Sequence, residues 1–382
     1  MLVIKEPYLR QENGKCRLLC DTTVDGETRT IWFETDAAYG KYLCTERADG
    51  FLIGLLRWAM MHGHDIQCEA PVTEELYYQI TANLCPILVK YGSRPTARGL
   101  YLHPIRITAP LAPALQAGTE VGTGFSCGVD SFTTILKHRD SPCKDMNLTL
   151  LCINNVGAFK DDALRKERYR IAETVAKELG LPLLATDSNF AEVFPQSHLC
   201  SHIYSSTFAV YMLQKLWRVF YYASEGWDWS QFSLVDNHHY DPGFYDLLAF
   251  PAFSIPGLTI YSDGGELWRW EKLDFLRGYD LPKKYLHVCV PKPYNCGVCS
   301  KCRRTLVMLD YLDALDDFAA VFDVEAYRRN RQDYYRWLYY MHAQTFQWRH
   351  SPWPKPAKNE SWLDAVYDGL VQQGKLDPNG LW

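Results

Sequence analysis

Two groups of residues in this chain have the types and spacing for chemistry. The first is Ser126-Cys127-Gly128-Val129-Asp130-Ser131. Hydroxyls at Ser126 and Ser131, beside main chain that Gly128 leaves bare, suit the oxygens of a phosphate. The Asp130 carboxylate would repel that anion unless a divalent cation lies between them, so the set points to ATP with Mg2+. All six residues are candidate nucleotide contacts, with Ser126, Asp130 and Ser131 the candidate catalytic ones. No Gly-Lys-Ser/Thr follows, which excludes the P-loop of ordinary NTPases. The plain alternative is a turn of small residues that needs no ligand.

The second group is Cys289, Cys296, Cys299 and Cys302, in HVCVPKPYNCGVCSKC. Two successive C-x-x-C spacings with a fourth thiol upstream can wrap one tetrahedral ion, and an all-cysteine set is the closed, structural type of Zn2+ site. An iron–sulfur cluster is the rival. The other nine of the 13 cysteines are scattered and read as small core residues.

These residues need elements to hold them. Residues 120–126 read as a strand running into the loop, and 131–138 as the helix beyond it. A second strand at 148–153, a helix at 161–179 stopped by Gly180, a third strand at 183–186 and an apolar helix at 204–222 follow. This alternation predicts an α/β domain with a parallel sheet covered on both faces, whose ligands bind beyond the carboxyl ends of the strands. Asn154 and Asp187 follow the second and third strands, where an adenine or ribose would be read. His202, at the opening of the apolar helix, is a candidate for the second substrate. Arg269 and Lys272 could hold a phosphate or carboxylate, or simply form ion pairs with Asp263 and Glu266 on an exposed helix. The polar run Asp236-Asn237-His238-His239 reads as a loop, with a metal or catalytic cluster as the sharper option.

Residues 1–114 form a smaller, strand-rich α+β accessory unit. Strands at 16–23 and 28–34 flank an Asp-Gly hairpin turn, helices follow at 50–62 and 73–91, and a further strand at 99–108. A Pro/Ala/Gly-rich run at 109–118 marks the boundary, 115–323 hold the nucleotide domain and metal knuckle, and 324–382 form an aromatic-rich helical tail. The formal charge of −5 argues against nucleic acid as a partner. No run of about 20 apolar residues and no basic-then-apolar start occur, so a cytoplasmic protein without a membrane span is expected.

In this order and at this separation, the two motifs resemble those of the 7-cyano-7-deazaguanine synthases, in the adenine-nucleotide α-hydrolase superfamily. That family carries an S-G-G-x-D-S pyrophosphate loop after its first strand and a zinc knuckle ending C-G-x-C-x-x-C-x-x-R. Here the loop reads S-C-G-V-D-S, and Arg304 stands one place before the family's arginine. The resemblance spans residues 119–312. It implies a Rossmann-like sheet of the PP-loop type, bound ATP, Mg2+ and Zn2+, and adenylylation of a carboxylate, 7-carboxy-7-deazaguanine, with release of pyrophosphate. The acyl-adenylate then passes to ammonia, giving an amide and then a nitrile. The extra N-terminal unit suggests another acceptor, such as the N-terminus of a protein from the same operon, as in relatives from bacterial anti-phage operons. A homodimer is compatible with this plan. Sulfur insertion into tRNA and a non-catalytic nucleotide-binding scaffold are the alternative functions, the latter because Cys127 replaces the family's glycine.

Overall fold

A computed structural model describes residues 1–91, 101–157, 161–224, 229–234, 241–349 and 361–379. The chain opens with β1 (Leu2–Ile4), β2 (Tyr8–Glu12), β3 (Lys15–Val24) and β4 (Glu27–Asp36). The Asp-Gly turn forms between the last two, with Asp25 at φ 51° and Gly26 at φ 87°. Next come α1 (Asp49–His62), β5 (Ile66–Cys68), β6 (Val72–Thr73), α2 (Glu74–Tyr78) and α3 (Cys85–Tyr91). Between α2 and α3 the helix loosens to π geometry over Gln79–Leu84, just ahead of Pro86, which has no amide to give the preceding turn. Residues 99 and 100 of the strand expected at 99–108 lie outside the described residues, and the described part forms β7 (Ile107–Thr108), followed by β8 (Leu111–Ala112).

The second part runs β9 (Glu120–Gly124), α4 (Val129–His138), β10 (Leu150–Asn154), α5 (Asp162–Leu179), β11 (Leu183–Ser188), α6 (Phe190–Val193), α7 (His198–Met212), β12 (Trp217–Ala223), α8 (Asp246–Phe253), β13 (Thr259–Asp263) and α9 (Arg269–Leu276). The helix expected over 204–222 therefore stops at Met212, and its second half is a strand. WRVFYYA is apolar at every turn of a 2-residue period as well. Val219 and Tyr221 enter one core while Trp217, Phe220 and Tyr222 enter the other. Helices α10 (Asp280–Tyr285), α11 (Ser300–Tyr311), α12 (Val324–Arg329), α13 (Arg331–Arg349) and α14 (Ser361–Gln372) complete the chain.

β13, β12, β9, β10 and β11 lie side by side, all parallel, so in order of sequence they stand 5-4-1-2-3. This is a doubly wound sheet whose order reverses between β9 and β12. Helices α4, α5, α9 and α11 cover one face, with α12–α14 outside them, while α1, α7 and α8 cover the other. The accessory strands do not form a separate sheet. β4 pairs antiparallel with β11 (Glu34 with Asp187, Phe33 with Ser188), and β3, β1, β5 and β7 continue outward, giving one mixed sheet of eleven strands. Asn189 fastens the seam, accepting from Trp32 N at 2.7 Å and donating to Thr30 O at 3.0 Å. Among the described residues no helix is long and apolar enough to cross a membrane.

Candidate functional site

β9 ends at Gly124 and α4 begins at Val129, so the loop stands at the carboxyl end of the central strand, beside the reversal of strand order. The first amides of α4 have no acceptor within the helix and face out of its N-terminus, where the helix dipole favours an anion. Ser131 Oγ turns back to organise the loop, accepting from Gly128 N at 3.1 Å and donating to Gly128 O at 3.2 Å. Ser126 is exposed, and its Oγ lies 3.5 Å from that of Ser131. A Cβ on Gly128 would stand 3.2 Å from Ser126 Oγ, so glycine keeps the mouth of the loop clear.

Cys127 takes the left-handed conformation, φ 58°, that suits glycine. A side chain in that conformation costs about 1 kcal/mol of strain. The thiol faces the core, 3% exposed, and burial pushes it up to about 12. A neutral, shielded thiol is a poor nucleophile.

Asp130 is gripped by two cations from α9. Arg269 Nη2 donates to one carboxylate oxygen at 2.8 Å and Lys272 Nζ to the other at 2.8 Å, and Lys272 also donates to Ser224 O at 3.2 Å. The Lys272 side chain is fully buried. Burial alone would raise the Asp130 carboxyl, but Arg269, Lys272 and then Arg304 hold it well below the ordinary range. Three cations thus converge on one carboxylate under the amides of α4. Arg269 and Lys272 are not on an exposed helical face paired with Asp263 and Glu266. Asp263 instead binds Thr134 at 2.7 Å, Lys137 at 3.0 Å and His138 at 2.8 Å, pinning α4 to β13.

The other candidates are placed unevenly. Asn154 Oδ1 accepts from Thr186 at 2.7 Å, and Asp187 accepts from Asn155 at 2.8 Å and Arg165 at 2.5 Å, so both polar groups are engaged in lacing β10, β11 and α5 together. His202 lies in the core on the opposite face of the sheet from α4, its ring nitrogens 2.7 Å from Tyr222 Oη and 2.7 Å from Asp241 Oδ1. Nothing described joins it to the loop. Residues 236–239 lie outside the described residues. Two concavities of about 200 and 220 Å³ fall below the roughly 300–1,000 Å³ of small-molecule sites, and neither touches the loop.

The four knuckle cysteines do converge. Their sulfurs all lie within 4.8 Å of one another, and Cys289 Sγ to Cys299 Sγ is 3.9 Å. A tetrahedral ion with metal–sulfur bonds of about 2.3 Å needs sulfurs about 3.8 Å apart, so the set fits a zinc-sized ion with small inward shifts. Gly297, φ 75°, makes the tight knuckle, and Tyr334 Oη donates to its carbonyl at 3.2 Å. Asn295 Oδ1 accepts from Val288 N at 2.9 Å and its amide donates to Leu286 O at 2.8 Å and Val321 O at 3.0 Å, which fixes the upstream limb. Although burial opposes it, amides of Cys299 and Val298 bring the Cys296 thiol down to about 7, ready to ligate.

Knuckle and loop touch. His287 N, two residues before Cys289, donates to Cys127 O at 2.8 Å. Arg168 of α5 is a buried cation near the site that sequence reasoning did not single out. It interacts electrostatically with the thiols of both Cys127 and Cys289. A signal for it was present: Arg168 stands on the buried stripe of Ala172, Val175, Ala176 and Leu179, where a cation is out of pattern. Comparison of the chain with protein-family models, with curated proteins and with solved structures returns no match.

Proposed function

We propose that this protein has the PP-loop type of nucleotide-binding fold, binds ATP with Mg2+ on residues 126–131, and adenylylates a carboxylate of the 7-carboxy-7-deazaguanine kind. The activated acyl group passes to ammonia or to another amine such as a protein N-terminus, in the manner of anti-phage relatives. The observation that carries this reading is the grip of Arg269 and Lys272 on Asp130 in the first turn of α4, whose N-terminal amides have no acceptor within the helix. One carboxylate does not balance the two cations of α9 that grip it, so the site has a surplus of positive charge suited to a polyphosphate.

The chemistry follows from that surplus. An oxygen of the substrate carboxylate attacks the α-phosphorus, the bond to the bridging oxygen breaks, and pyrophosphate departs. Charge grows on the phosphoryl oxygens as this happens, and the α4 amides with Arg269 and Lys272 stabilise it. Asp130 is the residue that would hold Mg2+, which when bound would supply neutralisation of the phosphate oxygens, with Arg269 and Lys272 beside it. Ser126, exposed at the mouth, supplies a hydroxyl donor. The amine then attacks the acyl carbon and AMP leaves. Cys127 in the left-handed conformation supports a working loop over a decayed one.

The test is pyrophosphate release from ATP with 7-carboxy-7-deazaguanine, with and without ammonia, and intact-mass analysis of a co-expressed protein from the same operon. Release that depends on the carboxylate is expected. No release with any carboxylate or acceptor sinks the ligase reading, while release with an unmodified protein leaves ammonia as the acceptor.

A further inference from the structure

A cavity of about 200 Å³ lies between the segment that follows β12 and the start of α8, walled by Trp229, Phe232, Phe244 and Leu247, with Asp246 in its lining. Asp246 is 4% exposed, and Ser262 Oγ donates to its Oδ2 at 2.8 Å. Among the described residues no Lys, Arg or His comes within ion-pair distance of it. His202 bears on it from α7, but sets its ring nitrogens 2.7 Å from Asp241 Oδ1 and 2.7 Å from Tyr222 Oη. Asn would accept the same hydrogen bond from Ser262 with no charge to desolvate, so a carboxylate here is costly unless a cation reaches it. Aromatic rings attract a cation through their faces, and apolar walls suit the chain that carries it. None of the described lining residues is basic, which argues against an anion. We propose that this cavity binds a primary ammonium group on a short apolar chain, such as the first residue of a peptide, with Asp246 as its counter-ion.

A turn of two glycines ties the cavity to the phosphate loop. Trp229 N donates to Gly265 O at 2.8 Å, and a Cβ on Gly265 would run into the Trp229 indole, so the ring lies directly on that glycine. A Cβ on Gly264 would stand 3.4 Å from Lys272 Nζ, the cation that grips Asp130 at 2.8 Å. The turn that seats the cavity wall thus also lies beside the cation of the loop. Ser262, which holds Asp246, immediately precedes Asp263, which pins α4. This placement makes the bound ammonium the acceptor of the activated acyl group, a role that rests on the adenylylating reading, whereas ammonium binding itself does not. In that step the ammonium gives one proton to solvent and its nitrogen bonds to the acyl carbon. The bond from that carbon to the AMP oxygen breaks, and the nitrogen sheds a second proton to solvent. Ammonia needs no apolar walls, so the cavity names an organic amine as the acceptor.

Calorimetry on the full chain without ATP tests the cavity, with glycyl-leucinamide, its N-acetyl form and n-butylammonium as probes. The free dipeptide amide is expected to bind, and its N-acetyl form to bind at least about 10-fold more weakly, the loss of a charge-assisted hydrogen bond. Asp246→Asn should weaken the free amine by at least about 10-fold as well, and Trp229→Leu by about 3-fold. Equal affinity for n-butylammonium assigns the cavity to alkylamines in general, and a weaker n-butylammonium assigns it to peptide N-termini. A parent protein that binds neither amine overturns the proposal, as does an N-acetyl form that binds as tightly as the free one. So does an Asp246→Asn affinity within twofold of the parent. If Asp246→Asn does not fold, Trp229→Leu decides, since that side chain is 39% exposed and its loss leaves the core intact: unaltered amine affinity overturns the cavity. The acceptor role is read separately, by mass spectrometry of acyl transfer to glycyl-leucinamide during ATP turnover. Asp246→Asn should slow that transfer at least about 10-fold at subsaturating amine. Transfer at the parental rate despite weakened binding removes the acceptor role. A parent protein that binds the amine but releases no pyrophosphate with any carboxylate refutes the adenylylating reading and leaves the ammonium site standing.

Discussion

Asp130→Asn removes one charge and almost no volume, and its consequences follow from the two cations it abandons. Lys272 is fully buried and the Arg269 side chain 10% exposed, so neither can recover bulk hydration. Stripping one partner from a buried pair costs about 3–5 kcal/mol. The lower end applies, because the Asp130 side chain is 18% exposed and an amide oxygen still accepts one hydrogen bond. Unfolding entropy of about 2.1 cal/mol/K per residue, over 382 residues, gives about 0.8 kcal/mol/K. A loss of about 3 kcal/mol then lowers Tm by about 4 °C if the chain unfolds together, and by more if only the part around the parallel strands unfolds. The same change leaves the cations free for an anion. Magnesium-free pyrophosphate should bind the variant more tightly than the parent, and at 100 times its Kd return about 2.7 kcal/mol, most of the deficit. Differential scanning fluorimetry across a pyrophosphate series, without Mg2+, reads both effects. A Tm within 1 °C of the parent, or a rescue no larger than the parent's own, refutes the reasoning about this triad.

Three further outcomes are expected. Burial would raise the Asp263 carboxyl, yet His138, Lys137 and Thr134 hold it at about 2, below its unfolded value near 4. Its stabilising contribution, about 2 kcal/mol, is therefore complete above pH 4 and lost as pH falls toward 2. Urea midpoints of the parent should drop more steeply over that window than those of Asp263→Asn, and parallel curves would discard the clamp. Cys127→Gly should keep stability within about 1 kcal/mol, since relief of strain offsets lost packing, whereas Cys127→Val should lose more than about 2 kcal/mol; equal losses in denaturant titrations would contradict the left-handed loop. Elemental analysis should find about one zinc per chain and almost none in Cys296→Ser. Iron in place of zinc would overturn the assignment of the ion.

The sequence announced those parts of the fold whose signals are local. An Asp-Gly pair, a C-terminal Gly180 and C-x-x-C spacings each act within a few residues, and each element formed where expected. The strand β12 was hidden because a segment apolar on both faces has no period to read. The antiparallel seam between β4 and β11 joins residues about 150 apart and leaves no mark on either strand. At the site, the loop and the cysteines were legible as motifs. That Arg269 and Lys272 serve Asp130, and not neighbours three or four residues away, depends on α9 being folded back against α4, a fact of tertiary packing. His202 looked like a site residue because it opens a helix beside the sheet, but the handedness of the crossover carries α7 to the other face.

The shared sheet also sets a distance. Neighbouring strands are about 4.8 Å apart, and seven steps separate β9 from β7, so the phosphate loop and the far edge of the N-terminal unit are about 34 Å from one another. At about 20–25° of twist per step, that edge is also turned roughly 140–175° about the sheet axis relative to β9. An extended polypeptide gripped at the far edge would need about ten residues to bring its terminal amine to the acyl-adenylate. Under the proposed reaction, the length of chain between grip and amine would then decide which acceptors reach the loop.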